Sequence, residues 1–537
     1  MNRWPLPMLL LLTVLAYTGV WSAGFVWDDV PLIVQNKALE DGLTLSVFTG
    51  DLWADSGAGE VASGYYRPLV LLSFALDRVF FGLSPAGYHL HSLLWHCAAV
   101  WGLWRLLLPM VGQRGAMLGA ALFALHPVQS EVVVWISARN DLMAAAFGFA
   151  ALNCVWRDEV PSRRRAVLAF LLTVAAAMSK ETAFVLPLMA GLALANQTHR
   201  LARVGPLLVG VAVVIALRMV VGVGGSDAPE TDGWILLFES APQLAGLLGA
   251  SVLSPWPISS ARDLSWIDGT PVWRVVLGWG FIVMLVLAWY RATHRRLIGI
   301  GLGWSLLLVG VTWVAIADKG GFGDRFLYWP MAGLSVVLGA VAGQHVRWLL
   351  PSIAIPAVLL VQLRLPDWTD DLRLWGASIR DVASPTNELS LGHAMTLEGR
   401  HIRAHVAFTG ALAGQQMDLE ACSGVVGSAM RAGMSQQALR MGLWSEAKGC
   451  PPSGPRHGWM STAAAMEGRW SLVEDWCSRE PADQYGRDLI ACAALAKRRA
   501  DDEMYAAFDS RWEGQGSFAE RVDALLTQDE SPVKGGL

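Results

Sequence analysis

Two adjacent carboxylates, Asp28 and Asp29, directly follow the first apolar segment of the chain. Two ionised groups side by side repel each other, and near lipid each needs a cationic, metal or substrate partner. A carboxylate in such a place can take the proton from an attacking hydroxyl group, which is general base catalysis. The alternative interpretation is that the pair only ends the first helix in a polar loop.

Further polar groups interrupt the apolar sequence downstream. Arginine and lysine side chains suit an anionic, lipid-linked substrate, because they bind phosphate and stabilise charge on a leaving group. The candidate cations are Arg67, Arg139, Lys180 and Arg325, and the other candidates are Glu131, Asp141, Glu181, His126, Asp324 and Tyr328. Plainer interpretations stay open: Glu131 could pair with Arg139, Glu181 could neutralise Lys180, and His126 could simply end a helix before Pro127.

The composition excludes an ordinary soluble protein. Of the 537 residues, 54% are hydrophobic and 16% are charged, and the mean hydropathy is +0.41. Soluble chains carry roughly 25% charged residues, and a membrane-spanning helix needs about 20 apolar residues, which this sequence offers repeatedly. The net charge of −4 gives no support for nucleic acid binding. We therefore predict an all-helical polytopic membrane protein.

The positive-inside rule predicts the topology. Arg3 favours a cytoplasmic N-terminus followed by an uncleaved first span over residues 6–23, which delivers the acidic pair to the outer side. The pattern predicts about eleven spans with the C-terminus outside. Residues 69–82 predict an amphipathic helix on the outer surface, residues 222–233 a loop rich in glycine and acids, and residues 234–271 a re-entrant or interfacial segment.

The chain divides into a membrane domain (residues 1–365), a linker (366–384) and a soluble helical domain (385–537). Similar pieces at 442–447 and 468–473 indicate helical hairpin repeats, although their spacing is short for a 34-residue tetratricopeptide unit; an irregular helical domain is the alternative.

Cys97 and Cys154 lie in apolar segments and are predicted to be packing residues. If the last domain is outside, Cys422, Cys450, Cys477 and Cys492 allow two disulfides with three pairings.

Several motifs occur together in a fixed order. They are FVWDD (25–29), YRPL (66–69), GLSPAGYHLHSLLWH (82–96), ALHPVQSE (124–131), ARNDL (138–142), MSKET (178–182) and DRFLYWP (324–330), followed by the Trp368–Trp375 segment. Over about residues 1–400 the chain resembles the GT-C membrane glycosyltransferases, and within them the transmembrane and tetratricopeptide-repeat protein O-mannosyltransferases and their bacterial relatives. The tetratricopeptide signature of the last domain is faint.

The resemblance implies a GT-C type helical bundle with a tetratricopeptide-like domain on the non-cytoplasmic side. It implies transfer of a hexose, mannose in the first place, from a polyprenyl-phosphate sugar to an acceptor hydroxyl group of protein serine or threonine, with inversion. The implied catalytic residues are Asp28 as the base, Asp29 and Glu131; the implied donor-phosphate ligands are Arg67, Arg139, Lys180 and Arg325. The implied acceptor or sugar ligands are His126, Asp141, Glu181 and Tyr328.

The expected partners are the lipid-linked sugar, an acceptor protein or glycan, and membrane lipids. No cofactor and no metal are expected, with a divalent ion on the acidic pair as the alternative. The expected location is a bacterial inner membrane with a periplasmic site, or else the endoplasmic reticulum. Alternative functions are transfer to a glycolipid or envelope polysaccharide, or a non-catalytic assembly scaffold. A transporter is disfavoured, because the charges collect at one end of the bundle rather than at mid-membrane.

Overall fold

The computed structural model describes residues 5–40, 45–57, 63–156, 161–195, 197–223, 238–253, 262–263, 271–319, 321–381, 384–413, 419–451, 454–479, 487–499 and short pieces between 505 and 525. The chain forms two compact units, Met1–Asp381 (the membrane unit) and Val382–Leu537 (the C-terminal unit). Residues 366–381, which the sequence assigns to a linker, belong to the membrane unit. Most of the predicted 222–233 loop lies outside the described residues.

Helices make up nearly all of the described membrane unit. They are α1 (Pro5–Ala16), α2 (Lys37–Glu40), α3 (Pro68–Phe81), α4 (Pro85–Leu125), α5 (Ser130–Val134), α6 (Arg139–Trp156), α7 (Arg163–Ala177), α8 (Leu186–Ala193), α9 (Arg200–Val221), α10 (Ala241–Leu253), α11 (Val272–Arg291), α12 (Arg295–Lys319), α13 (Pro330–Ala342), α14 (Val346–Arg364) and α15 (Asp371–Asp381). Two short strands, β1 (Arg262–Asp263) and β2 (Gly321–Phe322), pair antiparallel, with Arg262 opposite Phe322.

Within the described residues, five helical stretches are long and apolar enough to cross a membrane, and a sixth is the bent pair Pro127–Val134 and Ile136–Trp156. The five are Pro85–Leu125, Arg200–Val221, Val272–Arg291, Arg295–Trp313 and Pro330–Trp368. The chain is therefore an integral membrane protein. The predicted count of about eleven spans is not confirmed, because several predicted spans form helices well short of about 20 residues. For example, α1, α7 and α8 have 12, 15 and 8 residues.

The longest helix, α4, folds back on itself at Gly112. Gly112 has a φ of 69°, a conformation that glycine adopts at no steric cost. His96 Nε2 and the carbonyl oxygen of Ala124 lie 3.1 Å apart, whereas a straight helix would separate the two residues by about 42 Å. The parts of α4 before and after Gly112 are thus the two arms of one helical hairpin.

Close glycine contacts hold the hairpin against α13. A Cβ atom on Gly115 would lie 2.6 Å from the carbonyl oxygen of Gly339, and one on Gly119 would lie 2.4 Å from that of Ser335. Small residues at such crossings let helix backbones approach closely inside a membrane. The segment predicted to be re-entrant is described mainly as α10, a helix of 13 residues, which packs on α11 through Gly249 and Gly278 in the same way.

The amphipathic helix predicted over residues 69–82 forms as α3, Pro68–Phe81. Its buried face carries Val70, Leu71, Phe74 and Ala75, and these side chains share one core cluster with residues of the first loop. This packing ties α3 to the loop that carries the acidic pair.

The C-terminal unit consists of helix pairs. Its described helices are α16 (Pro385–Leu397), α17 (His401–Ala413), α18 (Leu419–Arg431), α19 (Ser435–Ala447), α20 (Gly454–Met466), α21 (Trp470–Arg479) and α22 (Arg487–Arg498). The first helices of successive pairs begin at Pro385, Leu419 and Gly454, so the period is 34 to 35 residues, as in tetratricopeptide units. The short spacing read from the sequence came from comparing non-equivalent positions; the equivalent turn glycines are Gly433 and Gly468, both with positive φ.

Cysteines behave differently in the two units. Cys97 and Cys154 of the membrane unit are free thiols. Cys422, within α18, forms a disulfide with Cys450, which follows α19. This is one of the disulfides that the four cysteines of the last domain allow. The side chain of Cys477 lies outside the described residues.

Candidate active site

The acidic pair lies in the loop between α1 and α2, and its two members have different surroundings. Asp29 is fully buried. Its Oδ1 accepts hydrogen bonds from the backbone N–H and the hydroxyl group of Ser137, with a nitrogen–oxygen distance of 2.7 Å, and its Oδ2 accepts one from Val26 N–H at 3.3 Å. Asp29 therefore fastens the loop to the turn that precedes α6.

Asp28 is only partly buried. Within the described part of the chain no donor is hydrogen-bonded to its carboxylate, so its lone pairs are open to a ligand. Burial raises the pKa of Asp28 to about 7; the Arg325 guanidinium opposes this rise and the Asp371 carboxylate adds to it. Burial also raises the pKa of Asp29 to about 7, against the hydrogen bonds from Ser137 and Val26. A carboxylate with such a pKa is well matched to accept a proton near neutral pH.

An aromatic wall flanks Asp28. The indole rings of Trp27 and Trp135 stack with their centroids 4.5 Å apart, and Trp375 meets Trp27 edge-on at 5.1 Å. The Arg325 guanidinium lies 5.2 Å from the Trp27 ring centroid and 5.4 Å from that of Trp135, which is within the range of a cation–π contact.

Glu131 holds this arginine from the other side. Its Oε1 lies 2.7 Å from Arg325 Nη1, and its Oε2 accepts the Arg325 backbone N–H at 3.0 Å. Glu131 is 1% exposed, so both of its oxygens are committed to Arg325 within the bundle. Arg325, in the turn before α13, is thus fixed beside Asp28.

A second charged group lies around the turn between α7 and α8; its cations Arg67, Lys180 and Arg218 are called the basic cluster below. Arg67 donates from Nε and Nη2 to Oε2 of Glu181, at 3.0 and 2.7 Å, and Lys180 is ion-paired with Asp141. Arg218, at the end of α9, lies 4.0 Å from the other oxygen of Glu181. Three cations thus meet two carboxylates, which leaves one positive charge in excess for an anion.

The start of α6 connects the two groups. Ser137 bonds to Asp29 and Asp141 pairs with Lys180. The two residues are four positions apart, which is about one helical turn, or roughly 6 Å of rise. The acidic pair and the basic cluster are therefore anchored on the same short stretch of backbone.

A groove adjoins the basic cluster along α9. It has a volume of about 490 Å³ and is lined by Phe184, Ile215, Arg218, Met219, Gly222 and Val223. Its walls are apolar apart from Arg218, which also hydrogen-bonds to the carbonyl oxygens of Val223 and Gly64. Among the described residues, no group of three or more His, Cys, Asp or Glu side chains could hold a metal ion.

Known proteins provide an independent comparison. Protein O-mannosyl-transferase Tmtc1 of Drosophila melanogaster is 33% identical over 187 residues, which are 34% of this chain and 21% of that protein. Protein O-mannosyl-transferase TMTC3 of Mus musculus is 30% identical over 168 residues, 31% of this chain and 18% of that protein. Over about a third of its length, this chain is related to the protein O-mannosyl-transferases. The resemblance drawn from the motifs is confirmed.

The extent of this similarity is limited. The Drosophila protein O-mannosyl-transferase Tmtc2 is 32% identical over 34% of this chain and 20% of its own length, so the chain matches about a fifth of the length of these O-mannosyl-transferases. No protein-family model and no solved structure matches the chain.

Three of the predicted site residues have all their described contacts inside the bundle. Arg139 is fully buried; its guanidinium is ion-paired with Asp77 and hydrogen-bonded to Ser73, Ser92 and the carbonyl oxygen of Tyr88. A donor phosphate cannot reach this guanidinium without breaking those contacts. In the structure Arg139 is thus a buried ion-pair partner, and its role as a donor-phosphate ligand stays a prediction.

His126 and Tyr328 have comparable internal roles. His126 Nδ1 accepts the Val128 N–H at 3.3 Å while its Nε2 lies 2.9 Å from the carbonyl oxygen of Val252, so it ends α4 as a neutral ring. The Tyr328 hydroxyl group lies 2.9 Å from His96 Nδ1 and is fully buried. Neither polar group is open to an acceptor in this structure.

Three residues that the structure brings to the site were not predicted from the sequence: Ser137, Arg218 and Asp371. Ser137 and Arg218 have no distinguishing motif, because a serine in a turn and an arginine at the end of a span are common. Asp371 lies within the Trp368–Trp375 segment and had a signal, since Asp370 and Asp371 repeat the paired acids of the first loop.

Proposed function

We propose that this protein transfers mannose from a polyprenyl-phosphate-mannose donor to a serine or threonine hydroxyl group of an acceptor protein, with Asp28 as the general base. The observation that carries the proposal is the partly exposed carboxylate of Asp28, which has no described hydrogen-bond donor, beside a fully engaged Asp29. The relatives are named protein O-mannosyl-transferases, which supports mannose and protein as the transferred sugar and the acceptor.

The chemistry assigned to Asp28 is one proton transfer. As the acceptor oxygen forms its bond to the anomeric carbon, Asp28 takes the hydroxyl proton, and the bond from that carbon to the phosphate oxygen breaks. Attack from the face opposite the phosphate inverts the configuration. The leaving phosphate gains negative charge, so nearby cations stabilise the transition state more than the ground state.

The basic cluster is the proposed site of the donor phosphate. Lys180, Arg67 and Arg218 together exceed the charge of Asp141 and Glu181. Arg218 lines the apolar groove, Arg67 shares Glu181 with it, and Lys180 is paired with Asp141 at the start of α6. The groove suits the first isoprene units of the carrier, since its walls are apolar and Arg218 lines it. The proposed role of Arg325, which Glu131 holds beside Asp28, is to contact the sugar or its phosphate.

Replacing Arg218 with methionine tests this assignment. A charge-assisted hydrogen bond is worth about 1.5–3 kcal/mol, so R218M is expected to raise the KM for the lipid donor roughly tenfold or more, with a smaller effect on the KM for the acceptor. The matched control is R200M at the opposite, exposed end of α9. An unchanged donor KM in R218M would remove Arg218 from the phosphate site.

The pH dependence of transfer follows from the pKa of Asp28. The base works only when ionised, and its pKa is about 7, so the rate should increase with pH through that range. Between pH 5.5 and 8.5 the ionised fraction changes by about 30-fold. Initial rates at subsaturating donor measure this change, and donor binding over the same range is the control. A flat profile would contradict the assignment.

The function itself is tested with purified protein, radiolabelled polyprenyl-phosphate mannose and acceptor protein. Label in the protein fraction that is released by β-elimination supports serine or threonine transfer, whereas label in a glycolipid or polysaccharide fraction supports the alternative acceptors. No transfer from this donor would favour the non-catalytic assembly scaffold.

The Cys422–Cys450 disulfide supports placing the C-terminal unit on the non-cytoplasmic side, because disulfides persist in oxidising compartments.

A further inference from the structure

The last segment of the membrane unit contacts the loop of the acidic pair. Asp371, at the start of α15, accepts a hydrogen bond at Oδ1 from the Trp27 N–H at 2.7 Å, although the two residues are 344 positions apart. Gly24 N–H donates to the carbonyl oxygen of Trp368 at 3.1 Å. Trp375, on the next turn of α15, packs edge-on against Trp27. Three contacts therefore join this segment to Gly24 and Trp27 of the loop.

The loop needs these contacts because its backbone is unusual. Trp27 has a φ of 55°, in the left-handed region that side chains other than glycine seldom adopt. Such a conformation costs of order 1–3 kcal/mol and persists where the surroundings fix it. Trp27 directly precedes Asp28, so its φ angle sets the direction in which the Asp28 side chain leaves the backbone.

Gly24 shows how closely the two segments approach. A Cβ atom at Gly24 would lie 2.5 Å from the carbonyl oxygen of Thr369, so a larger residue there would push the segments apart. The loop and the Trp368–Asp371 segment thus form one contact surface.

The charges facing Asp28 come from several elements. Arg325 precedes α13 and is itself ion-paired with Glu131, Asp29 is the chain neighbour, and Asp371 approaches from α15 with Asp370 beside it. Asp371 is thus the acid that both holds the loop backbone and acts on Asp28 through space.

We propose that Asp371 is a positioning residue for the reaction: its carboxylate holds the Trp27 amide and thereby keeps the backbone in the conformation that presents Asp28 to the acceptor. This inference rests on the proposed function of Asp28. The negative charge of Asp371 has a second consequence for Asp28. Because like charge disfavours ionisation, removing it should let Asp28 ionise at lower pH.

Two substitutions separate the hydrogen bond from the charge. D371N keeps an acceptor oxygen for the Trp27 N–H and removes the charge, so kcat at high pH should stay within about threefold of wild type while the midpoint of the pH–rate profile moves to lower pH. D371A removes both, so kcat should fall at least tenfold at every pH, with the donor KM little changed. The control is D370N, which removes the charge of the neighbouring half-buried acid but keeps the oxygen that accepts the Arg373 N–H at the start of α15, and it should leave kcat unchanged.

A measurement independent of turnover completes the test. Hydrogen–deuterium exchange of the peptide covering residues 24–29 should accelerate at least tenfold in D371A and stay near wild type in D371N and D370N. Unchanged exchange in D371A, or an unchanged pH midpoint in D371N with an active wild type, would overturn the inference while leaving the proposed function intact. Absence of transfer by the wild type would instead refute the proposed function, and the exchange result would still decide whether Asp371 fixes the loop.

Discussion

Replacing Asp28 with asparagine is expected to lower mannose transfer by roughly 10²–10⁴-fold, the usual contribution of a positioned general base. The amide has nearly the same shape and cannot take the acceptor proton. Because no described donor is hydrogen-bonded to Asp28, the substitution should leave folding and donor binding close to wild type. The measurement is the transfer of label from polyprenyl-phosphate mannose at saturating donor.

The matched control is D55N, which neutralises an exposed acid in the segment between α2 and α3 and should leave the rate unchanged. Wild-type rates in D28N would move the base elsewhere. Asp29 and Glu131 would then be the next carboxylates to test, although the oxygens of both are already engaged by Ser137 and Arg325.

The second large effect concerns stability. Replacing Asp77 with alanine should lower the free energy of unfolding by about 3–5 kcal/mol, because it leaves the Arg139 guanidinium buried without its counter-ion. Asp77 is 2% exposed and Arg139 is 0% exposed, and Asp77 also contacts His91 at 2.7 Å. Thermal unfolding of the detergent-solubilised protein measures the effect.

Removing both charges distinguishes ion-pair loss from simple disruption. The double variant D77L/R139M should recover much of the stability lost in D77A, since well-packed apolar residues often replace a buried ion pair without cost. The control E398A breaks the exposed pair between Glu398 and Arg400 and should change stability by less than about 1 kcal/mol. If D77A were as stable as E398A, the pair would not hold α3 against α4 and α6.

Local patterns were sufficient to predict much of the architecture. Long apolar stretches predicted the membrane helices, and the interruption of an apolar run by Asp77 and Arg78 predicted α3 to within one residue at each end. The number of spans was harder to predict, because hydropathy does not distinguish a helix of 12 residues from one that crosses the bilayer. The fold-back of α4 depends on one glycine, Gly112, whose conformation a hydropathy window does not detect.

Side-chain roles were predictable only where the chemistry is local. Asp28 and Asp29 stood out because two acids follow an apolar segment, but their different surroundings depend on Ser137, 108 residues away. Arg139 looked like a phosphate ligand in the sequence, since its partner Asp77 lies 62 positions earlier and meets it only when α3 packs on the bundle. Arg218 and Asp371 entered the site through tertiary contacts of the same kind.

The Cys422–Cys450 disulfide has a consequence for the order in which the protein matures. It closes a loop of 28 residues around α19, and two thiols are oxidised only after both have reached an oxidising compartment. The membrane helices need no such step. Newly made chains should therefore pass through a stage with an assembled membrane unit and a reduced second helix pair, and rapid alkylation after a short labelling pulse would trap that species.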